Sequence, residues 1–162
     1  MKWSLQQLKK IQKFPYDFSC ELDFKEDIVD VEDIYDIDTV YVTGKIYYVR
    51  EDTYRITYHI KASMILQCSL TLEPVDYLLE DDYEEIFSTD EDDDYNLIVN
   101  NTIDFRQVVW SNIIIDKPIN VTRPDAYEIL AKRGIILGEE PKLDASEMVI
   151  SYSDSEKQKE EN

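Results

Sequence analysis

The sequence predicts an α+β domain in which an antiparallel β meander is packed by one main helix. Three observations carry this prediction. Apolar residues occupy alternate positions through residues 40–87, the connections between these runs are short, and an apolar stripe with helical spacing follows at residues 102–116. The chain has 162 residues, of which 43% are hydrophobic, and this is enough for one domain with a buried core.

Residues 3–13 are predicted to form a short N-terminal helix. Ser4 and Gln7 have the spacing of a capping box, and leucine and isoleucine recur at helical intervals behind them. The segment has no acidic residue. It is either a solvated helix that docks one apolar side on the domain, or a contact site for RNA or an acidic partner. Its basic residues, with the one just before it, are Lys2, Lys9, Lys10 and Lys13.

Three long strands are predicted between residues 40 and 87. Residues 40–48 alternate through one strand, residues 51–53 form a turn, and residues 54–70 carry an apolar side chain at nearly every second position. A third run extends from residue 75 to residue 87. The connections are too short for crossovers, so the strands should be antiparallel. Before them, residues 14–24 fit an edge strand and residues 28–35 a loop or helical turn.

Residues 76–94 form a strongly acidic run without a basic residue, and its last part, residues 88–96, is expected to be a mobile loop. An EF-hand starting at Asp90 fails, because Tyr95 and Asn101 stand where the calcium loop needs Gly and Glu. We interpret the run as an acidic partner-binding surface. Its residues are Asp76, Glu80, Asp81, Asp82, Glu84, Glu85, Asp90, Glu91, Asp92, Asp93 and Asp94.

The rest of the chain contains two predicted helices and a polar tail. The main helix covers residues 102–116, capped by Thr102 or Asp104, and a second short helix runs from residue 124 to residue 133. We expect one domain over residues 1–150 and a disordered tail over residues 151–162. A second basic island lies near the second helix. Its residues are Lys117, Arg123, Lys132 and Arg133.

Composition argues against most enzyme classes. Three glycines leave no nucleotide-binding loop, and one histidine with two isolated cysteines cannot supply a zinc quartet. His59 and Cys68 fall on opposite faces of one strand, so they cannot act as base and nucleophile within it. His59 fits a surface pair with a neighbouring strand, and Cys68 fits a small buried apolar residue. We therefore expect no catalysis, no cofactor and no metal.

The remaining composition indicates a cytoplasmic protein. Cys20 and Cys68 could pair in principle, but free thiols in a reducing cytoplasm are favoured. We see no signal peptide and no stretch of roughly 20 apolar residues that would span a membrane. The net charge of −19 excludes binding to bare nucleic acid through the overall field of the protein.

Three segments, in order along the chain, carry a family resemblance. They are the opening Met-Lys-Trp-Ser-Leu-Gln-Gln-Leu-Lys-Lys of residues 1–10, the Cys-Ser-Leu-Thr-Leu-Glu-Pro-Val of residues 68–75, and the stretch from Ile103-Asp104-Phe105 to Lys117-Pro118. Together they resemble the bacterial YceD family, the large-ribosomal-RNA accumulation proteins of DUF177 type. The chain departs from this family at Leu70 and Thr71, where relatives carry Arg and a second Cys, and it lacks their Cys-rich segment after the proline.

The resemblance implies a non-enzymatic ribosome biogenesis factor that supports large-subunit rRNA accumulation or processing. The partner would be a basic large-subunit ribosomal protein or a ribosomal precursor particle, with rRNA touched indirectly or through local basic patches. The alternative is an acidic protein that mimics nucleic acid and inhibits a nucleic-acid-binding partner. Direct RNA contact would fall on Lys9, Lys10, Lys13, Lys132 and Arg133.

Overall fold

The alternating segments form a mostly antiparallel sheet in the computed structural model, which describes residues 1–135. The α+β prediction and the central meander are confirmed. The predicted tail at residues 151–162, and the end of the predicted domain, lie outside the described residues. In chain order the elements are β1 Lys2–Ser4, α1 Leu5–Lys9, β2 Tyr16–Leu22, a 3₁₀ turn Asp27–Asp30, β3 Ile34–Ile37, β4 Val40–Arg50, β5 Thr53–Gln67, β6 Pro74–Ser88, β7 Asn96–Leu97, β8 Thr102–Asp104, α2 Phe105–Asp116 and α3 Ala126–Lys132.

The main sheet has the strand order β2-β4-β5-β6-β7. Neighbouring strands are antiparallel except β7, which pairs in parallel with the last two residues of β6. Strand β5 extends beyond the residues that pair with β4. Along the rest of that side of β5, near Met64 and Leu66, it pairs with β3. A separate two-stranded sheet joins β1 to β8. Strand β5 is therefore the central element of the fold.

One face of the main sheet carries the core, as the period-two pattern predicts. The even-numbered residues of β5 from Tyr54 to Leu66 are buried, whereas Arg55, His59 and Lys61 point to the opposite face, which we call the open face. Burying one such isoleucine or leucine contributes roughly 1.5–3 kcal/mol to the free energy of unfolding. This one-sided burial fixes the register of every strand that pairs with β5.

Helix α2 packs across the core face. Asp104 caps the helix by accepting the backbone N–H of Gln107 at 3.3 Å, and Phe105, Val109 and Ile113 are fully buried. The helix begins at Phe105 rather than Thr102, because Thr102–Asp104 pairs with β1. The Phe105 ring lies 4.9 Å from the Tyr58 ring, measured between centroids. Helix α2 is thus attached to the middle of β5.

Several short elements differ from the sequence-based prediction. The predicted capping box is present between Ser4 and Gln7, but α1 has only the five residues Leu5–Lys9. Of residues 28–35, expected in a loop or helical turn, the last two belong to β3, whose register is interrupted by an irregularity between Ile34 and Asp36. Strand β5 ends at Gln67, because Cys68 already belongs to the turn into β6, where its N–H donates to the carbonyl of Glu73 at 2.9 Å.

Within residues 1–135, no helix is long and apolar enough to cross a membrane.

A candidate interaction surface on strand β6

Strand β6 forms an outer boundary of the main sheet over most of its length. It pairs with β5 along all of Pro74–Ser88 on one side, whereas on its other side β7 reaches only Phe87 and Ser88. No other strand in the described part of the chain pairs with the outer side of β6. Six of the predicted partner-binding acids lie on this strand, and we call them the acidic edge: Asp76, Glu80, Asp81, Asp82, Glu84 and Glu85.

The acidic edge presents carboxylates on both faces of the sheet. Asp81 and Glu85 are opposite the buried Ile60 and Ile56 in the register, so they share the face that carries the core. The even-numbered members alternate with them and point to the open face. The sequence places these acids next to one another in the chain, but the strand separates them into two rows. The open-face row is Asp76, Glu80, Asp82 and Glu84.

Basic residues of β5 contact the open-face row. His59 Nδ1 lies 2.8 Å from Asp82 Oδ1, His59 Nε2 lies 3.7 Å from Glu80, and Arg55 lies 3.3 Å from Glu84. The hydrogen bond with Asp82 raises the pKa of His59, and Glu80 adds to this effect. The prediction that His59 forms a surface pair across strands is confirmed. These contacts are solvent-exposed, and pairs of this kind contribute little to stability.

Glu85 belongs to the interior of the fold rather than to a free surface. Its carboxylate accepts hydrogen bonds from Asn96 at 2.8 Å, from Asn112 at 3.3 Å and from the Tyr58 hydroxyl at 3.4 Å. Asn112 lies on α2, so this half-buried network joins the helix to the sheet. The assignment of Glu85 to a partner-binding surface therefore needs correction, because its carboxylate is occupied by these internal donors.

The residues Asp90–Asp94, which we call the acidic loop, adopt a defined turn. The Asp90 N–H donates to Ser88 Oγ at 3.1 Å, and the Asp94 N–H donates to Asp92 Oδ1 at 2.9 Å. Arg50 lies 3.1 Å from Asp90 and stacks over the Tyr95 ring. Local acceptors thus shape the backbone of the loop, and its mobility stays a prediction. All five side chains of the acidic loop are exposed.

The basic residues proposed for RNA contact do not form one surface. Lys9 lies 3.1 Å from Asp52 in the turn between β4 and β5. Arg133 donates to the Thr71 carbonyl at 2.9 Å and pairs with Glu73 in the turn between β5 and β6. These two turns are at opposite ends of β5, about 45 Å apart for a strand of this length. Lys10 and Lys13 are exposed near the first turn, and Lys132 is exposed near the second.

Two members of the second basic island, Arg123 and Arg133, contact the turn between β5 and β6. Arg123 donates to the Pro74 carbonyl at 2.6 Å and pairs with Asp125 at 2.8 Å. Its backbone N–H lies 3.5 Å from the sulfur of the buried Cys68, which also accepts the Thr71 N–H at 3.4 Å. The sequence shows the charge of this island but gives no signal for the contacts of Arg123 and Arg133 with the turn, because these contacts join residues 49 to 62 positions apart in the chain.

The two cysteines and the metal-ligating side chains are the candidates for chemistry within residues 1–135. Both cysteines are free thiols, with Cys20 on β2 and Cys68 buried after β5. Burial opposes ionisation of Cys68, but hydrogen bonds from Thr71, from the Arg123 N–H and from other backbone donors outweigh it and lower the pKa to about 7. Among residues 1–135, no group of three or more His, Cys, Asp or Glu side chains is placed to hold a metal ion.

The chain has a recognisable relative among known proteins. The chain is similar to the uncharacterized protein YlbN of Bacillus subtilis (strain 168), with 28% identity over 126 residues, which cover 75% of this chain and 73% of the relative. No family model matches the chain. No solved structure matches it.

Proposed function

We propose that this protein is a non-enzymatic ribosome biogenesis factor that supports large-subunit rRNA accumulation or processing. In this proposal it binds a basic large-subunit ribosomal protein, free or within a precursor particle. The contact surface consists of the acidic edge, without Glu85, and the acidic loop. Contact with rRNA is then indirect or limited to the separate basic islands at the two ends of β5.

The observation that carries the proposal is the grouping of carboxylates along β6 and the loop that follows it. At physiological salt, charges separated by more than about 8 Å are strongly screened, so a partner responds mainly to the charges next to it. The acidic edge and the acidic loop follow each other in the chain, and the loop side chains are exposed. Such a surface accelerates association with a cationic protein.

The three sequence segments that resemble the YceD family support the biological process. Two of them coincide with defined structural features. Residues 1–10 include the capping box of α1, and residues 68–75 include the turn to which Arg123 and Arg133 donate hydrogen bonds. The large distance between the basic islands favours a protein partner over direct binding of rRNA along one continuous surface. The competing proposal, a nucleic-acid mimic, is favoured by the regular row of acids on the open face.

A pull-down from cell extract at low and at high salt tests the proposal. We expect wild-type protein to retain large-subunit ribosomal proteins or precursor particles at low salt and to release them as the salt concentration rises. A variant in which Asp92, Asp93 and Asp94 are changed to Asn should retain less. A matched control changes Glu26→Gln, Asp30→Asn and Glu32→Gln, which are exposed acids outside this surface.

The control variant should behave like wild type. Recovery of a single nucleic-acid enzyme without ribosomal proteins would instead support the mimic. Equal losses in both variants would show that net charge matters and the proposed surface does not.

A further inference from the structure

The outer side of β6 exposes a defined set of backbone groups. The Ser88 carbonyl points outward, because it accepts the N–H of Ile98 at 2.7 Å on the side of β7. Backbone N–H and C=O groups alternate in direction along a strand. The backbone groups of every even-numbered residue of β6 therefore point away from β5, as those of Ser88 do. Two contacts agree with this assignment. The Pro74 carbonyl accepts Arg123 at 2.6 Å, and the Ile86 carbonyl accepts Asn96 at 3.4 Å.

Between these two ends, the outward backbone groups have almost no partner within residues 1–135. The exception is the Asp82 N–H, which donates to the side chain of its neighbour Asp81 at 2.8 Å. The strand pairs with β5 without a register shift, so the unpaired stretch is regular. Unpaired edges of this kind are templates for a further strand, and proteins usually shorten or block them. The outward residues are Asp76, Leu78, Glu80, Asp82 and Glu84.

We propose that the edge of β6 from Asp76 to Glu84 accepts an extended, Lys- or Arg-rich segment of the partner as an additional strand. This inference rests on the proposed function, for which it specifies the mode of binding. A segment of about nine residues covers the stretch. Main-chain hydrogen bonds supply affinity, and alternate side chains supply specificity.

The side chains beside this edge determine which partner sequence fits as the added strand. On the open face, an added strand lies next to Asp76, Glu80, Asp82 and Glu84, and only His59 and Arg55 compensate these charges in the described contacts. Basic side chains on that face of the added strand are therefore favoured. On the other face, the added strand meets Tyr77, Leu79 and Tyr83 together with Asp81. The matching sequence has Lys or Arg at alternate positions, with apolar residues between them.

A second copy of this chain is a poorer occupant of the same edge. Pairing two β6 edges brings acid against acid on the open face, and like charges on neighbouring strands are destabilising. The acids thus prevent self-association through the edge and at the same time attract a cationic strand. The proposal accordingly assigns the edge to a basic partner segment and predicts that the protein does not dimerise through it.

The experiment uses the full chain and a capped peptide of alternating Lys and Val, about nine residues long. We expect peptide binding to slow hydrogen exchange at the outward amides of Leu78, Glu80 and Glu84 by about ten-fold or more. Two further peptides carry a methyl group on the backbone amide nitrogen, in one peptide at every Val and in the other at every Lys. The charge of the peptide does not change. Only one set of amides can face β6, so one of these peptides should lose binding and the other should keep it.

Leu78→Pro provides a test from the side of the protein, with Leu78→Ala as its control. The Leu78 N–H does not pair with β5, so proline is tolerated there as on other edge strands. We expect Leu78→Pro to weaken peptide binding by about ten-fold and Leu78→Ala to leave it nearly unchanged. The comparison of the N-methylated peptides uses wild-type protein, so the test stands even if Leu78→Pro fails to fold.

Three results would overturn the inference. They are equal binding of both N-methylated peptides, protection confined to the acidic loop, and a concentration-dependent dimer whose formation protects β6. Different results test the proposed function and this mode of binding. If a basic ribosomal protein binds without protecting β6, the function stands and this mode of binding is wrong. If the peptide protects β6 but extract yields no ribosomal protein, the edge is a binding site for another basic partner.

Discussion

Gly44 is the residue at which the sheet depends most directly on a missing side chain. It lies in β4 opposite Tyr58, and a Cβ atom there would be 2.3 Å from the Thr57 carbonyl oxygen and 2.8 Å from both Phe18 and Tyr58. The absent side chain leaves room for two aromatic residues on the core face. The sequence pattern marks Gly44 only as one more position in an alternating strand, so this close approach was not predictable from it.

We expect Gly44→Ala to lower the free energy of unfolding by about 2–3 kcal/mol, because the nearest contact is with backbone and cannot move away cheaply. Urea denaturation measures this loss. Gly134→Ala is a useful comparison, since its surroundings are open and only its positive φ of 78° is unfavourable. That change should cost about 1 kcal/mol. Equal costs for the two changes would contradict the steric explanation.

Cys68 acts as a hydrogen-bond acceptor within the turn from β5 to β6. The prediction of a small buried residue is confirmed, but the N–H groups of Thr71 and Arg123 that point at its sulfur come from the fold. Cys68→Val keeps an apolar side chain and leaves those donors unsatisfied, so it should destabilise the protein by about 1–3 kcal/mol. Cys68→Ser keeps an acceptor and should cost less. Thermal unfolding of both variants tests this order.

At the scale of single elements, two tyrosines attach α2 to the sheet. Asn112 donates to the Tyr58 hydroxyl at 2.5 Å, and the Tyr83 hydroxyl donates to Asp116 at 2.5 Å. Burial raises the pKa of Tyr58 above its usual range, and Glu85 adds to this shift. Burial also raises the pKa of Tyr83, together with Asp116. Both hydroxyls therefore remain protonated in the folded protein at pH values where the unfolded chain ionises.

This difference predicts a loss of stability in alkali. The folded state holds both protons more tightly, so their contribution is complete below about pH 10, the pKa of an unfolded tyrosine, and decreases as the pH rises above it. Each retained proton lowers the free energy of unfolding by about 1.4 kcal/mol per pH unit in that range. Tyr58→Phe should flatten this dependence in urea titrations. An unchanged slope in Tyr58→Phe would contradict the assignment.

The long strands were predictable and the shortest strands were not. Strands β4, β5 and β6 follow from period two, because one buried face imposes that pattern on every residue. Strands β1, β3, β7 and β8 have only two to four residues each, and they exist because distant segments offer them a partner. A pattern of that length carries no periodic signal. The same limit explains why α2 begins three residues later than predicted.

For the whole molecule, the distribution of charge determines how it meets a partner. We expect neutralisation of the acidic loop, by Asp90, Asp92, Asp93 and Asp94 to Asn and Glu91 to Gln, to slow association with a basic ribosomal protein and to flatten its salt dependence. The loop side chains are exposed, so the fold should remain intact. Stopped-flow measurements at several salt concentrations test this. An equally neutralised control changes Glu21, Glu26, Asp30, Glu32 and Asp38 to their amides.

The control should associate at nearly the wild-type rate. The competing expectation places contact on the basic residues, so reversing the charge of Lys9, Lys10, Lys13, Lys132 and Arg133 would abolish association with precursor particles while the loop variant remained normal. Sedimentation with such particles distinguishes the two. That second outcome would refute the acidic surface and would leave a role in ribosome assembly possible.

The composition predicted an acidic protein, but it could not place the charges. Which acids face solvent and which are enclosed by internal donors depends on pairing between strands. The carboxylate of Asp82 is exposed beside His59, whereas that of Glu85 accepts a hydrogen bond from Asn96. The two basic islands also look comparable in sequence, yet the length of β5 separates them. The candidate surface was therefore predictable as a segment of the chain, and its geometry as an open edge required the sheet.

The pairing of β1 with β8 has a consequence for the order of folding. Residues Lys2–Ser4 and Thr102–Asp104 are about a hundred positions apart, so their contact closes a very long loop and gains little until the intervening sheet has formed. Trp3 packs at 5.0 Å from the rings of both Phe18 and Phe105, where it joins the two sheets. The indole of Trp3 should thus become buried late in folding. Its fluorescence change should therefore report the last step.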